Sequence, residues 1–143
     1  MNPRLAATLS VILLLVQAAC GDWTPTATAP RPGQLVVALR SANLDDGAIH
    51  FRIDGGEIAD VAALDPEHTL LIHRHPTGGV SVIVVGTALA GPLVRFHVPD
   101  VRARDRYRPQ LLGVADTDNR PRSSINGYGL SLVVDASLSR RVR

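Results

Sequence analysis

The stretch "AIHFRI", residues 48–53, decides the fold class because apolar and polar residues alternate along it. Ile49, Phe51 and Ile53 occupy one set of alternate positions, and a histidine and an arginine occupy the other. Successive side chains of a β-strand point to opposite faces of the sheet. A strict alternation therefore predicts a strand with one face buried and one face in water.

The same period of two recurs along the chain. Residues 80–86 carry apolar residues on both faces, which predicts a strand that is central or covered on both sides. Residues 56–68 fit either a weak strand or one helical turn. Glycine, proline, asparagine and aspartate fall between the runs and indicate turns. The other alternating stretches are "QLVVALR" (34–40), "TLLIHRH" (69–75), "LVRFHVP" (93–99), "QLLGVAD" (110–116) and "YGLSLVVD" (128–135). Together they predict an all-β, antiparallel, immunoglobulin-like sandwich of about seven or eight strands.

Three segments of the body resemble a known class of sandwich domain. They are "ANLDDGAIHFRIDG", "AGPLVRFHVPD" and "YRPQLLGVADTDN". Their order is similar to that of cohesin-type and carbohydrate-binding-module-like domains, in which a Gly-x-Leu-x-x-Phe-x-Val strand precedes a long loop. The body also resembles domains of bacterial lipoproteins. These resemblances imply an immunoglobulin-like sandwich and imply no catalytic residues.

The first residues read as an export signal, residues 1–19. A short segment with one arginine precedes the apolar run "LAATLSVILLLV", which is shorter than the roughly 20 residues that span a bilayer. Residues 1–21 resemble a bacterial lipoprotein signal, because Ala18 and Ala19 directly precede Cys20. The position three before the cysteine departs from that pattern, since Gln17 stands where an aliphatic residue is usual. The resemblance implies acylation of Cys20, which would become the new N-terminus.

Acylation would place the rest of the chain on the outer side of a membrane, in a bacterial cell envelope, either in the periplasm or at the cell surface. Two or more acyl chains anchor a protein stably. Residues 20–33 form the lipidated cysteine and a tether rich in Pro, Thr and Ala, which could reach roughly 40 Å. Residues 34–135 form the sandwich domain, and residues 136–143 form a basic C-terminal tail.

Composition excludes several classes of protein. The chain has a single cysteine, so it cannot form an internal disulfide. Its 15 basic residues, all of them arginine, stand against 13 acidic ones, and this near balance does not indicate a nucleic-acid partner. The nucleophile motif of serine hydrolases, Gly-x-Ser-x-Gly, does not occur in the sequence. Ser123 and Ser124 also have no histidine near them in sequence.

Metal ligands are the alternative chemistry that the residues leave open. His73 and His75 are two apart, so both project from one face of a strand and could bind zinc with a third ligand from His50, His68 or His97. Loop oxygens near Asp45, Asp46 and residues 115–119 could bind calcium. Turn chemistry and solvated surface explain these residues as well, so we predict neither a metal nor a cofactor.

Four arginines alternate in "VRARDRYRP": Arg102, Arg104, Arg106 and Arg108. In an extended segment they would share one face and could bind phosphate or carboxylate groups. They would equally serve as charges that discourage pairing at a sheet edge.

These observations predict a membrane-anchored, non-enzymatic interaction or structural module of a bacterial envelope. Its expected partners are the membrane, through the lipid on Cys20, and an envelope protein or an acidic glycan. A calcium- or zinc-dependent binding domain is the first alternative. A small hydrolase or an enzyme accessory subunit is the second.

Overall fold

The alternating stretches form strands in the computed structural model, which describes residues 28–135. The strands are β1 (Gly33–Arg40), β2 (Asp46–Asp54), β3 (Ala59–Ala63), β4 (Thr69–Arg74), β5 (Val80–Val85), β6 (Gly91–Val98), β7 (Arg108–Asp116) and β8 (Gly129–Val134). A 3-10 helix, Val101–Arg106, lies between β6 and β7. No helix in the described part of the chain is long and apolar enough to cross a membrane.

The strands form two four-stranded sheets, ordered β3-β6-β1-β8 and β4-β5-β2-β7. Every neighbouring pair is antiparallel. The pairing is nested, because β1 pairs with β8, β2 with β7, β3 with β6 and β4 with β5, as in a long hairpin folded over on itself. The prediction of an all-β antiparallel sandwich of seven or eight strands is confirmed.

The core lies between the sheets and is made by the inward positions of the predicted alternation. Phe51 from one sheet and Phe96 from the other are both completely buried. Each inward side chain of this size contributes about 1.5–3 kcal/mol by leaving water. The other fully buried large side chains are Leu35, Val37, Ile49, Ile53, Val80, Val82, Val84, Leu89, Leu93 and Val94.

The nested antiparallel path divides the loops between two poles of the sandwich. At the terminal pole β1 begins and β8 ends, since Gly33 pairs with Val98 and Leu35 pairs with Val134. Both ends of the described chain therefore lie at this pole, with the 3-10 helix. The distal pole is opposite, and its connections are residues 41–45, 64–68, 86–90 and 117–128.

The segment 56–68, which fitted a strand or a helical turn, forms the edge strand β3. Its pairing with β6 is irregular between Ala59 and Ala62, and Asp60 between them has a φ of 47°. A bulged strand loses its strict alternation, which explains the weak pattern in the sequence. The doubly apolar stretch forms β5, which is a central strand as predicted, between β4 and β2.

The hypothesis of an extended segment with its arginines on one face is wrong. Residues 101–106 form a 3-10 helix, so Arg102, Arg104 and Arg106 do not share a strand face. The reason is Asp100, whose carboxylate accepts the N–H of Arg102 at 3.0 Å and caps the helix. At about three residues per turn, arginines two apart point in three different directions around the helix axis.

Truncating a core aromatic tests the assignment of the two inner faces. We expect Phe96→Ala to lower the free energy of unfolding by about 3–5 kcal/mol, because it leaves a cavity between the sheets. Leu44, which is 95% exposed, provides the control. We expect Leu44→Ala to change stability by less than about 0.5 kcal/mol. Denaturant melts followed by circular dichroism give both values, and equal effects would contradict the fold.

Candidate functional site

The distal pole contains a carboxylate that is completely buried. Asp46, at the start of β2, is the single polar or charged side chain classed as buried between residues 28 and 135. Taking a carboxylate out of water costs several kcal/mol unless charged and hydrogen-bonding partners surround it. Asp46 has three such partners. Ser41 donates its hydroxyl to Oδ2, Tyr128 donates its hydroxyl to Oδ1 at 2.9 Å, and Arg122 Nε donates to Oδ1 at 3.2 Å.

These contacts join two loops that are far apart in the sequence. Ser41 belongs to the β1–β2 loop, and Arg122 belongs to the β7–β8 loop, residues 117–128. Arg122 also reaches Asp45, with Nη2 at 2.5 Å from Oδ1. Asn43 Nδ2 donates to Tyr128 Oη at 2.5 Å. One buried carboxylate thus holds both loops in a fixed relation.

The pKa of Arg122 follows from this environment. Burial by itself would lower the pKa, because it penalises the charged guanidinium. Hydrogen bonds and charge interactions with Asp45 and Asp46 outweigh that cost, so the pKa of Arg122 lies above its usual value. The two carboxylates therefore favour the charged form of the guanidinium.

The β7–β8 loop is also ordered internally at its start. Asp116 Oδ1 accepts the N–H groups of Asp118 and Arg120, each at 2.9 Å. These bonds, with that to Arg120 the stronger, lower the pKa of the Asp116 carboxyl. Pro121 then forms a bridge with Ala115 of β7, which folds the loop back beside the strand. Loops of this length without secondary structure are uncommon in compact domains and are usually functional or disordered.

Two apolar side chains are exposed on these ordered loops. Leu44 is 95% exposed on the β1–β2 loop, and Ile125 is 41% exposed on the β7–β8 loop. We call the residues 41–45 and 117–128 together the distal surface. It combines two exposed apolar side chains with the polar side chains of the two joined loops.

The candidate calcium ligands have other partners. Asp45 and Asp46 are both bound by Arg122, whose positive charge lies where a cation would have to bind. Asp116 uses an oxygen to order the following turn. Across the described residues, no group of three or more His, Cys, Asp or Glu side chains could hold a metal ion.

The five histidines are distributed over both sheets. His73 and His75 do approach each other, with ring centroids 4.9 Å apart in an edge-to-face arrangement. His50 lies on β2, two strands away from them. His97 lies on β6 in the other sheet, beside Asp60. The fifth, His68, has Nε2 at 3.5 Å from the carbonyl oxygen of Thr87. The fold therefore brings His73 and His75 together, and it places none of the proposed third ligands of a zinc site beside them.

One serine and one histidine lie at the distance of a nucleophile and its base. His75 Nε2 is 2.8 Å from Ser81 Oγ. Burial, followed by the charges of Arg52 and His73, lowers the pKa of His75. A catalytic triad also needs an acid that orients the imidazole. The charge of Asp54 acts on His75, and Asp54 Oδ1 is bound to Arg52 Nε at 2.7 Å. The pair thus lacks the third group of a triad.

Replacing Asp46 tests whether the buried carboxylate holds the loops. We expect Asp46→Asn to lower the free energy of unfolding by about 3 kcal/mol, because an amide replaces a buried carboxylate to which three side chains donate, and Arg122 keeps only Asp45 as an ionic partner. Asp118→Asn is the control, since Asp118 pairs with Arg120 at 3.2 Å on the surface, where such pairs contribute about 0–1 kcal/mol. Amide hydrogen exchange should show faster exchange across residues 117–128 in the first variant alone. Unchanged exchange there would contradict the proposed role of Asp46.

Comparison of the chain with protein families, with curated proteins and with solved structures returned no significant match. The function therefore has to be argued from the residues of this chain.

Proposed function

We propose that this protein is a membrane-anchored, non-enzymatic module of a bacterial envelope that binds a protein partner through its distal surface. The observation that carries the proposal is the buried Asp46 network, which fixes two loops and leaves Leu44 exposed upon them. A carboxylate buried at this cost is difficult to explain by stability alone, because an apolar residue of similar size often stabilises a core better. Its use is to fix the geometry of the loops.

Preordered loops favour binding because the partner does not have to order them. Immobilising a side chain on association costs about 0.5–1.5 kcal/mol, and loop ordering adds to this cost. In this protein folding has already ordered the loops. Binding residues are commonly found on loops that a rigid scaffold positions, and the two stacked sheets provide such a scaffold.

A protein is a better fit to the distal surface than an acidic glycan. Glycan recognition by stacking needs exposed aromatic faces. Of the aromatic residues between 28 and 135, Phe51, Phe96 and Tyr107 are buried, and Tyr128 is half-buried with its hydroxyl bound to Asp46. Leu44 and Ile125 instead offer aliphatic groups that a pocket on a protein could enclose.

Anchoring is proposed through acyl chains on Cys20, which lies outside the described residues. The supporting pattern is the apolar run that ends in Ala18-Ala19-Cys20. Both termini of the domain lie at the terminal pole, and the distal surface lies at the opposite end of the sandwich. An anchor before residue 28 would therefore attach at the terminal pole, away from the distal surface. A tether at one end and a binding surface at the other suit display from a membrane.

Mass spectrometry of the membrane fraction tests the anchor. We expect an intact mass that corresponds to a chain beginning at Cys20 with acyl chains attached, and Cys20→Ser should release the protein from the membrane. Ser10→Ala in the signal segment is a matched control that keeps the cysteine. A mature chain that begins elsewhere, or an unmodified Cys20, would refute the anchor.

Site-specific photo-crosslinking in the envelope tests the distal surface. We expect a crosslinking residue in place of Leu44 to form a discrete adduct with one protein. The same residue in place of Leu71, which is 58% exposed on the outer face of a sheet, should form none. Leu44→Asp should reduce recovery of that partner at least tenfold, because a buried leucine contributes about 1.5–3 kcal/mol. Equal adducts at both positions, or adducts only to glycan, would contradict the proposal.

A further inference from the structure

The chain is fixed to the terminal pole before β1 begins. Arg31 donates its N–H to Asp100 Oδ1 at 3.2 Å, and Val101 donates its N–H to the carbonyl of Arg31 at 2.9 Å. Arg102 Nη1 donates to the carbonyl of Ala29 at 3.0 Å. The same Asp100 oxygen caps the 3-10 helix, and its bonds to Arg102 and then Arg31 lower the pKa of its carboxyl. Segment and helix therefore form one unit.

This attachment shortens the tether that the sequence predicts. Residues 29–31 belong to the domain surface, so the predicted tether can extend no further along the chain than about Thr28, instead of to Gly33. Nine peptide units separate Cys20 from Ala29. Fully extended they reach roughly 30 Å, and as a flexible coil they reach on average about half of that. The 3-10 helix must accordingly lie close to any surface that holds Cys20.

Exposed arginines cluster at the terminal pole, on the 3-10 helix and beside it. Arg102, Arg104 and Arg106 point in different directions around the 3-10 helix, and all are exposed. Arg31 and Arg108 are exposed beside them. We call these five arginines the basic pole. The acids at this pole are Glu57, Asp100, Asp105, Asp135 and Asp54, the last of which pairs with Arg52.

Of these five arginines, only Arg104 forms an ion pair within residues 28–135, and the charges of Arg102 and Arg106 act on Asp100. The ion pair of Arg104 with Asp105 is long, at 3.8 Å, and both side chains are more than half exposed. Arg106 and Arg108 form no ion pair within residues 28–135. Arg104 and Arg108 also line an open groove of about 500 Å³, whose other wall includes Leu130 and Leu132. The groove thus places two guanidinium groups and the Asp105 carboxylate beside apolar side chains.

We propose that the basic pole binds the anionic headgroups of the membrane that carries the anchor. The inference rests on the proposed acylation of Cys20, which brings the pole within reach of that surface. Headgroup phosphates accept hydrogen bonds from arginine, and unpaired arginines are attracted to an anionic surface within about a Debye length, roughly 8–10 Å. This contact fixes the domain upright, with the distal surface directed away from the lipid.

Vesicle binding tests the basic pole without the lipid anchor. The protein is the mature chain with Cys20→Ser, and the probes are phosphatidylcholine vesicles with and without phosphatidylglycerol. We expect binding only to the anionic vesicles, with a steep loss as salt rises. The triple variant Arg102→Gln, Arg104→Gln and Arg106→Gln should bind on the order of 100-fold more weakly, at about fivefold per arginine.

Two further variants make the result specific. Arg40→Gln, Arg95→Gln and Arg120→Gln together remove the same charge away from the terminal pole and should weaken binding less than about threefold, an effect of net charge alone. Replacing Arg102, Arg104 and Arg106 with lysine should preserve binding, which shows that loss in the glutamine variant is not a folding defect.

Equal losses in both glutamine variants, or equal binding to neutral vesicles, would overturn the proposal. Inorganic phosphate should displace the protein no more than chloride does at equal ionic strength, since the ligand is a charged surface. Displacement at low phosphate concentration would instead identify a free phosphate ligand and overturn the membrane assignment. The mass of Cys20 is measured separately, so failure of the anchor and failure of the basic pole are distinguishable.

Discussion

Each sheet of this protein has one apolar face, and stacking the two faces is the only way for both to leave water together. That constraint sets the alternation of each strand, because a residue out of phase would put a polar group into the core. It also sets the path of the chain. With nested antiparallel pairing around one core, the two ends of the domain lie at the same pole, and the longest loop lies at the other. The functional surfaces proposed here follow from this polarity.

The buried carboxylate is the main exception to an otherwise apolar interior. Asp46 is tolerated because an arginine, a tyrosine and a serine surround it. The exception occurs at the pole where two loops must be held, and not between the sheets. Conformational specificity is a recognised use of buried polar groups in some proteins, and the placement of Asp46 fits that use. In the same network Arg122 places its positive charge beside Asp45 and Asp46, the position that a cation would otherwise occupy.

The sequence predicted the strands well and the Asp46 network not at all. Alternation specifies which residues of a regular strand face inward, as it does for Ile49, Phe51 and Ile53. Extending that alternation backwards would turn Asp46 outward. A register shift at Gly47 turns it inward instead, and a Cβ at Gly47 would lie 2.7 Å from the carbonyl oxygen of Asp116. A bulge of this kind depends on a strand about 70 residues away, so no local pattern reveals it. The partner Arg122 lies equally far away in the sequence.

The arginines of residues 102–108 show the same limit of local sequence patterns. They also bear on how strong the proposed contact at the terminal pole has to be. Their even spacing suggested a strand face, but the Asp100 cap imposed a helix. Each exposed arginine contributes only about 1 kcal/mol near an anionic surface, so the proposed contact of the unanchored protein is reversible and sensitive to salt. A short tether strengthens it, because it converts the contact into an intramolecular one with an effective concentration in the millimolar range. Three or four weak contacts then suffice to orient the domain, and they remain weak enough to be broken by salt or by a competing partner. With the proposed acylation of Cys20, a tight headgroup site would add little, because the acyl groups would already hold the chain at the surface.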